Sequence, residues 1–193
     1  MDSYKTINNN AEGYYTDKRS KFYAFAHHVE SAEEVKTLLA GYRKKYYDAR
    51  HICWAYRLGP TGEDFRMNDD GEPSSTAGKP IYGQMLSHEL TDIVVFVVRY
   101  YGGVNLGTSG LIVAYREATI DALNNAEIEE RIVESLIEFS FPYSMINGVM
   151  KVVKELNPRV VDQTFDNTCT IKLAIRESMV EQLQQRLGKL SFE

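Results

Sequence analysis

Only two cysteines, Cys53 and Cys169, occur in 193 residues. Secreted disulfide scaffolds use more of them at short regular spacing, so these two read as small buried hydrophobes of a reducing compartment. Long apolar runs are missing too. The longest, Ile93 to Val98, is closed by Arg99, far short of the roughly 18 to 20 residues of a membrane-spanning helix. The opening stretch MDSYKTINNNAEGYY has no apolar signal core, so a cytoplasmic location without a membrane partner is expected. Cations are outnumbered, 22 against 27 acids, for a net charge of -5. That balance argues against non-specific coating of nucleic acid, and DNA is not expected as a partner. No G-x-S-x-G elbow, H-E-x-x-H helix or recognisable catalytic triad occurs. His27 and His28 point to opposite faces of a strand, and His51 with Cys53 makes only two ligands, so neither a metal nor a cofactor is expected.

What is present is an ordinary globular composition, 44% hydrophobic and 25% charged, long enough for one large domain or two small ones. Strand-like and helix-like periods alternate along it. Ser20 to Val29 alternates as a strand, and Ser31 with Glu33 and Glu34 starts a helix running to about Tyr47. Arg50 to Leu58 reads as a strand stopped by Gly59-Pro60, Phe65 to Asn68 as a brief one, and Asp69 to Lys79 as a long loop. A short helix is expected over Lys79 to His88, with Pro80 in its first turn. TDIVVFVVRY, Thr91 to Tyr100, is β-branched throughout and predicts a central strand buried on both faces. After a glycine turn, Thr108 or Ser109 is expected to cap a helix reaching about Ala126.

The acidic stretch AEIEER is the expected domain boundary, dividing the chain into residues 1–130 and 131–193. Beyond it the order is β-α-β-β-α: strand Ile132 to Phe141, helix Tyr143 to Leu156, strands Val160 to Phe165 and Cys169 to Arg176, and helix Ser178 to Leu187. At most a strand stub follows at 190–192. The fold class is α+β, and this second part predicts a ferredoxin-like layer of helices on a sheet.

Three segments carry candidate chemistry. DDGEPSSTAGKP offers Asp69, Asp70, Glu72, Ser74, Thr76 and Lys79, but the distance from Gly71 to Gly78 and the Pro80 after Lys79 exclude a P-loop. It is either an acidic surface loop or a loop folded over a binding site. RYYGGVNLGTSGL leads from a buried strand into a helix, placing Arg99, Tyr100, Gly102, Gly103, Gly107 and Ser109 near free helix amides. Its spacing is not the dinucleotide fingerprint, so it is either a tight turn needing positive φ or an anion or phosphate site with Arg99 as a partner. Finally, RKKYYDARHICWAYR interleaves Arg43, Lys44, Lys45, Arg50 and Arg57 with Trp54 and three tyrosines, against the single acid Asp48; Lys18, Arg19 and Lys21 add to it. Either the aromatics are core beside a solvated helix end, or the segment meets phosphates and stacks on unpaired bases.

DDGEPSSTAGKP followed by VVRYYGGVNLGTSGL with Ala114-Tyr115 resembles the signature of the IMPACT family, YigZ type, over essentially the whole chain. The resemblance implies a ribosomal protein S5 domain 2-like N-terminal domain and, as in two-domain bacterial members, a ferredoxin-like C-terminal domain similar to domain V of elongation factor G. It also implies a link to translation or RNA, with a ribosome or RNA partner. Asn105 stands where similar sequences often have lysine. The expected function is a non-enzymatic translation-linked regulator or RNA- or ribosome-associated binding protein. The alternative is an enzyme of the S5-like small-molecule kinase type, in which Asp69, Asp70 or Glu72 would hold Mg²⁺.

Overall fold

A computed structural model describes residues 2–190. The chain divides into two compact units, residues 4–131 and residues 2–3 with 132–190. The first contains strands β1 (Ser3–Ile7), β2 (Ala11–Asp17) and β3 (Ser20–His28), helix α1 (Ala32–Lys45), strands β4 (His51–Leu58) and β5 (Asp64–Asn68), helix α2 (Gly78–Ser87), strand β6 (Ile93–Tyr100), helix α3 (Gly107–Asn124) and strand β7 (Ile128–Ile132). The division between units falls inside β1 and β7, which pair with each other.

Five strands form one sheet in the order β2-β3-β6-β4-β5. Every pairing is antiparallel. β6 lies in the middle and is buried along Ile93 to Arg99. Helices cover both faces, which explains an apolar run of the kind usual in parallel sheets. Alternation sorts the side chains: Phe22, Ala24, Ala26, Cys53, Ala55, Val95 and Val97 pack against α2 and α3. Phe25, Ile52, Trp54, Tyr56, Val94, Phe96 and Val98 pack against α1. Helix α1 starts as its sequence dictates, with Ser31 and Glu34 forming a reciprocal capping box. α3 does not. Its N-cap is Leu106, without a side-chain cap, and Thr108 and Ser109 sit within its first turn, leaving its amides unfilled. The acidic stretch expected as a break is occupied by β7.

The second unit holds β8 (Glu134–Pro142), α4 (Ile146–Leu156), β9 (Arg159–Phe165), β10 (Thr168–Arg176) and α5 (Val180–Lys189). Its sheet order is β8-β10-β9, antiparallel throughout. Phe141, Cys169, Ile171, Leu173 and Ile175 pack with Val149, Val152, Leu183 and Leu187 of the helices. The expected helix starts at Tyr143 and Ser178 are 3-10 turns, Tyr143–Met145 and Glu177–Met179. α5 runs past its expected end at Leu187 to Lys189, with Gly188 inside it and Leu190 as its C-cap. The rest of the expected terminal stub, 191–192, lies outside the described residues.

Candidate functional site

The register of the central sheet assembles the site. His51 of β4 and Phe22 of β3 stand directly opposite Arg99 of β6, so all three share the face toward α3. Arg99 is only 5% exposed. The Asp69–Lys79 segment folds over this end of the sheet and inserts Glu72, whose carboxylate accepts from Arg99 Nη1 at 2.6 and 2.9 Å. His51 Nε2 lies 2.6 Å from the same carboxylate, and its Nδ1 lies 2.7 Å from the Asp70 carbonyl. Both ring nitrogens therefore face oxygen acceptors, a pairing that only the doubly protonated imidazolium satisfies completely.

The charges follow that geometry. Burial alone would lower the His51 pKa and Arg99 pushes the same way, but the bonds to Glu72 and the Asp70 carbonyl outweigh both and raise it. Burial would raise the Glu72 carboxyl; His51 and Arg99 hold it below its ordinary value instead. Beneath them Cys53 Sγ donates to the Asp69 carbonyl at 3.0 Å and reaches Tyr115 Oη at 3.3 Å. Burial pushes the thiol and the phenol well up, so neither supplies an anionic nucleophile.

Above this network opens a cleft of about 480 Å³, lined by Arg50, His51, Glu72, Pro73, Arg99, Tyr101, Asn105, Leu106, Gly107, Thr108 and Leu111. Two glycines in its wall turn the chain with positive φ, Gly71 at 85° and Gly107 at 73°, and Gly103 beside it does so at 89°. Gly102 is needed for closeness: a Cβ there would strike the backbone of Arg19 and Ser20 in the β2–β3 hairpin. Ser20 Oγ, fully buried, accepts from Gly102 N at 3.2 Å and Arg99 Nη2 at 3.4 Å. Arg50 lies over the Tyr101 ring at 5.1 Å, and Arg99 lies 5.6 Å from the same ring.

The two loops expected to carry an anion site thus adjoin, and Arg50 joins them from the basic segment. Other expectations are corrected. Asp69 and Asp70 do not line the cleft. Asp69 accepts from Ser75, Ala77 and Gly78 amides and so caps α2. Asp70 accepts from Ile52 N at 2.7 Å. With Glu72 held by Arg99, all three carboxylates proposed for Mg²⁺ are engaged by the protein. Among the described residues, no three His, Cys, Asp or Glu side chains gather as metal ligands. Tyr100 falls on the α1 face by alternation, where its hydroxyl donates to Asp48 at 2.9 Å. Ser74, Thr76 and Lys79 line a neighbouring hollow. Lys79 makes no ion pair among the described residues; Arg99 and His51 offset the loop acid Glu72 instead. Gly103 and Ser109 are exposed beside the cleft.

In the basic segment, Arg43, Lys44, Lys45 and Arg50 are exposed, whereas Trp54 is 7% exposed and stacks on Tyr56 at 5.8 Å. Trp54 is core and presents no face to a base. Arg57 lies six residues along β4 from His51, about 20 Å toward the other end of the sheet. It donates to the Leu90 and Thr61 carbonyls and leaves the nucleic-acid set. His51, Tyr101 and Ser20 fall outside the expected site; the shared face of His51 and Cys53 is the signal for the first.

A model of the Impact N-terminal domain matches residues 18–123, most of the unit that holds the cleft. An IMPACT family member of Haemophilus influenzae is 31% identical over 90% of this chain and 85% of its own. This chain belongs to the IMPACT family. The IMPACT family member YigZ of Escherichia coli K12 is 27% identical over 90% of this chain and 86% of its own. A crystal structure titled as an hypothetical protein overlays with TM-score 0.73 and 26% identity, covering 99% of this chain and 94% of that one. The two cleft-forming segments of this IMPACT chain, residues 69–79 and 99–109, both lie within the matched range.

Proposed function

We propose that this chain is a non-enzymatic, translation-linked binding protein that takes single-stranded RNA, free or in the ribosome, on the cleft end of its N-terminal unit. The observation that carries the reading is a set of unpaired cations. Lys18, Arg19, Lys21, Arg43, Lys44, Lys45 and Arg50 are all exposed. None makes an ion pair among the described residues. The hairpin, the last turn of α1 and the start of β4 bring them to the end of the sheet where β6 leaves. Uncompensated cations at one end give a local positive field on a chain of net charge -5. Tyr47, 84% exposed, replaces Trp54 as a ring open to bases.

Binding rather than catalysis fits the side chains. His51 has both nitrogens committed, Cys53 is a protonated buried thiol, and the loop carboxylates are spent on the protein's own donors. In the same reading residues 1–130 are the S5 domain 2-like module and 131–193 the ferredoxin-like module, two modules that both recur in translation factors. Changing Arg43, Lys44, Lys45 and Arg50 together to Ala should weaken binding to single-stranded RNA and flatten its salt dependence by about 0.7 for each phosphate no longer neutralised. Unchanged affinity and slope would refute the reading.

A further inference from the structure

We infer that the cleft itself is a pocket for the terminal phosphate of an RNA strand, distinct in role from the cations around it that track internal phosphates. This rests on the RNA-binding reading above. Three features inside the cleft point to a monoester rather than a diester. Its fixed charge is the first. Arg50, Arg99 and a His51 held as imidazolium face the single carboxylate Glu72, leaving two positive charges uncompensated. A phosphate monoester carries about -1.5 to -2 near neutral pH, against one charge for an internal phosphate.

Arg99 is the second feature. It lines the cleft while 95% buried, and its Nε has no hydrogen-bond partner although Nη1 and Nη2 are both engaged. A buried guanidinium donor without an acceptor is costly, and Arg99 carries that cost at the wall of the cleft. The third is α3, 18 residues long, whose first amides have no side-chain cap and whose first residues, Gly107 and Thr108, line the same cleft. An anion seated there meets aligned amides and the positive end of the helix dipole. Tyr101 lines the cleft and carries the Arg50 guanidinium over its ring, which holds that cation at the cleft. Asp69 and Asp70, the remaining acids of the covering loop, turn their carboxylates to backbone amides outside the cleft. About 480 Å³ accommodates one nucleotide rather than a run of them.

Fluorescence anisotropy on the full chain tests this with one unstructured RNA decamer carrying a 5′-phosphate, a 3′-phosphate or hydroxyls at both ends, each labelled internally. One phosphorylated form should bind about tenfold tighter than the hydroxyl form, the effect of an added charge-assisted hydrogen bond. That advantage should vanish in Arg50→Gln and in Tyr101→Ala, whose side chains are solvent-facing enough to leave the fold intact. It should persist in Lys45→Gln, where all three RNAs weaken together. Equal binding of all three RNAs would overturn the terminal pocket while leaving RNA binding standing. Binding of none would overturn the reading beneath it. Adenosine monophosphate binding as tightly as the phosphorylated decamer would assign the pocket to a free nucleotide and overturn the strand-end proposal.

Discussion

Among the described residues, the eight buried polar or charged side chains, Thr6, Ser20, Glu72, Thr76, Thr91, Asp92, Arg99 and Thr119, all fall in the unit of residues 4–131. The other unit closes on Phe141, Ile171, Leu173, Val149 and Leu183, and keeps its arginine pairs with Asp2, Glu134 and Glu155 at the surface. Both are sheets covered by helices, so the contrast is not one of architecture. An apolar core suffices to fold either. Burying Arg99 and Glu72 costs desolvation that packing does not demand, and it occurs where the chain also leaves its uncompensated cations.

The largest way to break this contrast is to remove one partner of the buried pair. Glu72→Ala leaves Arg99 uncompensated and should destabilise the N-terminal unit by about 3 to 5 kcal/mol, whereas Arg159→Ala, with its exposed partner Glu134, should cost less than about 1 kcal/mol. Urea unfolding of the two variants checks both, and equal losses would erase the distinction between the units. Next comes Gly102→Ala, which should cost about 1 to 3 kcal/mol through overpacking against the hairpin; a thermal midpoint equal to wild type would mean the hairpin is not seated on that loop.

A smaller effect is pH-dependent. Glu72, held below its ordinary 4.5, stabilises above that pH and loses the contribution as pH falls through its lowered folded value. His51, held above its ordinary 6.5, stabilises below that pH and loses the contribution as pH rises through its raised folded value. The gap in thermal midpoint between wild type and His51→Gln should therefore be widest between pH 4.5 and 6.5 and narrow on either side. A gap that stays constant from well below pH 4.5 to well above pH 6.5 would show that His51 is not held as the imidazolium. Smallest is the α1 cap: Ser31→Ala should cost about 1 kcal/mol, with no change in RNA binding.

Which parts of this are legible in the sequence follows from locality. The capping box at Ser31, the apolar run of β6, and the Asn157-Pro158 stop, with Asn157 left-handed at φ 51°, are written in neighbouring residues. β1 and β2 do not stand out in the polar N-terminal stretch. β1 finds its partner β7 more than a hundred residues away, and β2, AEGYYTD, sets two adjacent tyrosines among small and polar residues at a sheet edge. The site divides in the same way. The two loops adjoining the central strand can be paired by reasoning, but His51 enters only through its register with Arg99. Trp54 misleads for a related reason: β4 is buried on both faces from Ile52 to Tyr56, so its aromatics are core although exposed Arg50 stands just before the strand.

The cleft end of the N-terminal unit is the proposed binding face. Titrating isotopically labelled full-length protein with single-stranded RNA and following backbone amide shifts tests it most directly. Shifts should concentrate at Lys18 to Lys21, Arg43 to His51 and Tyr101 to Thr108, with little change around Arg57 or across β8 to β10. Shifts centred on residues 132–190, or spread evenly over both units, would contradict it.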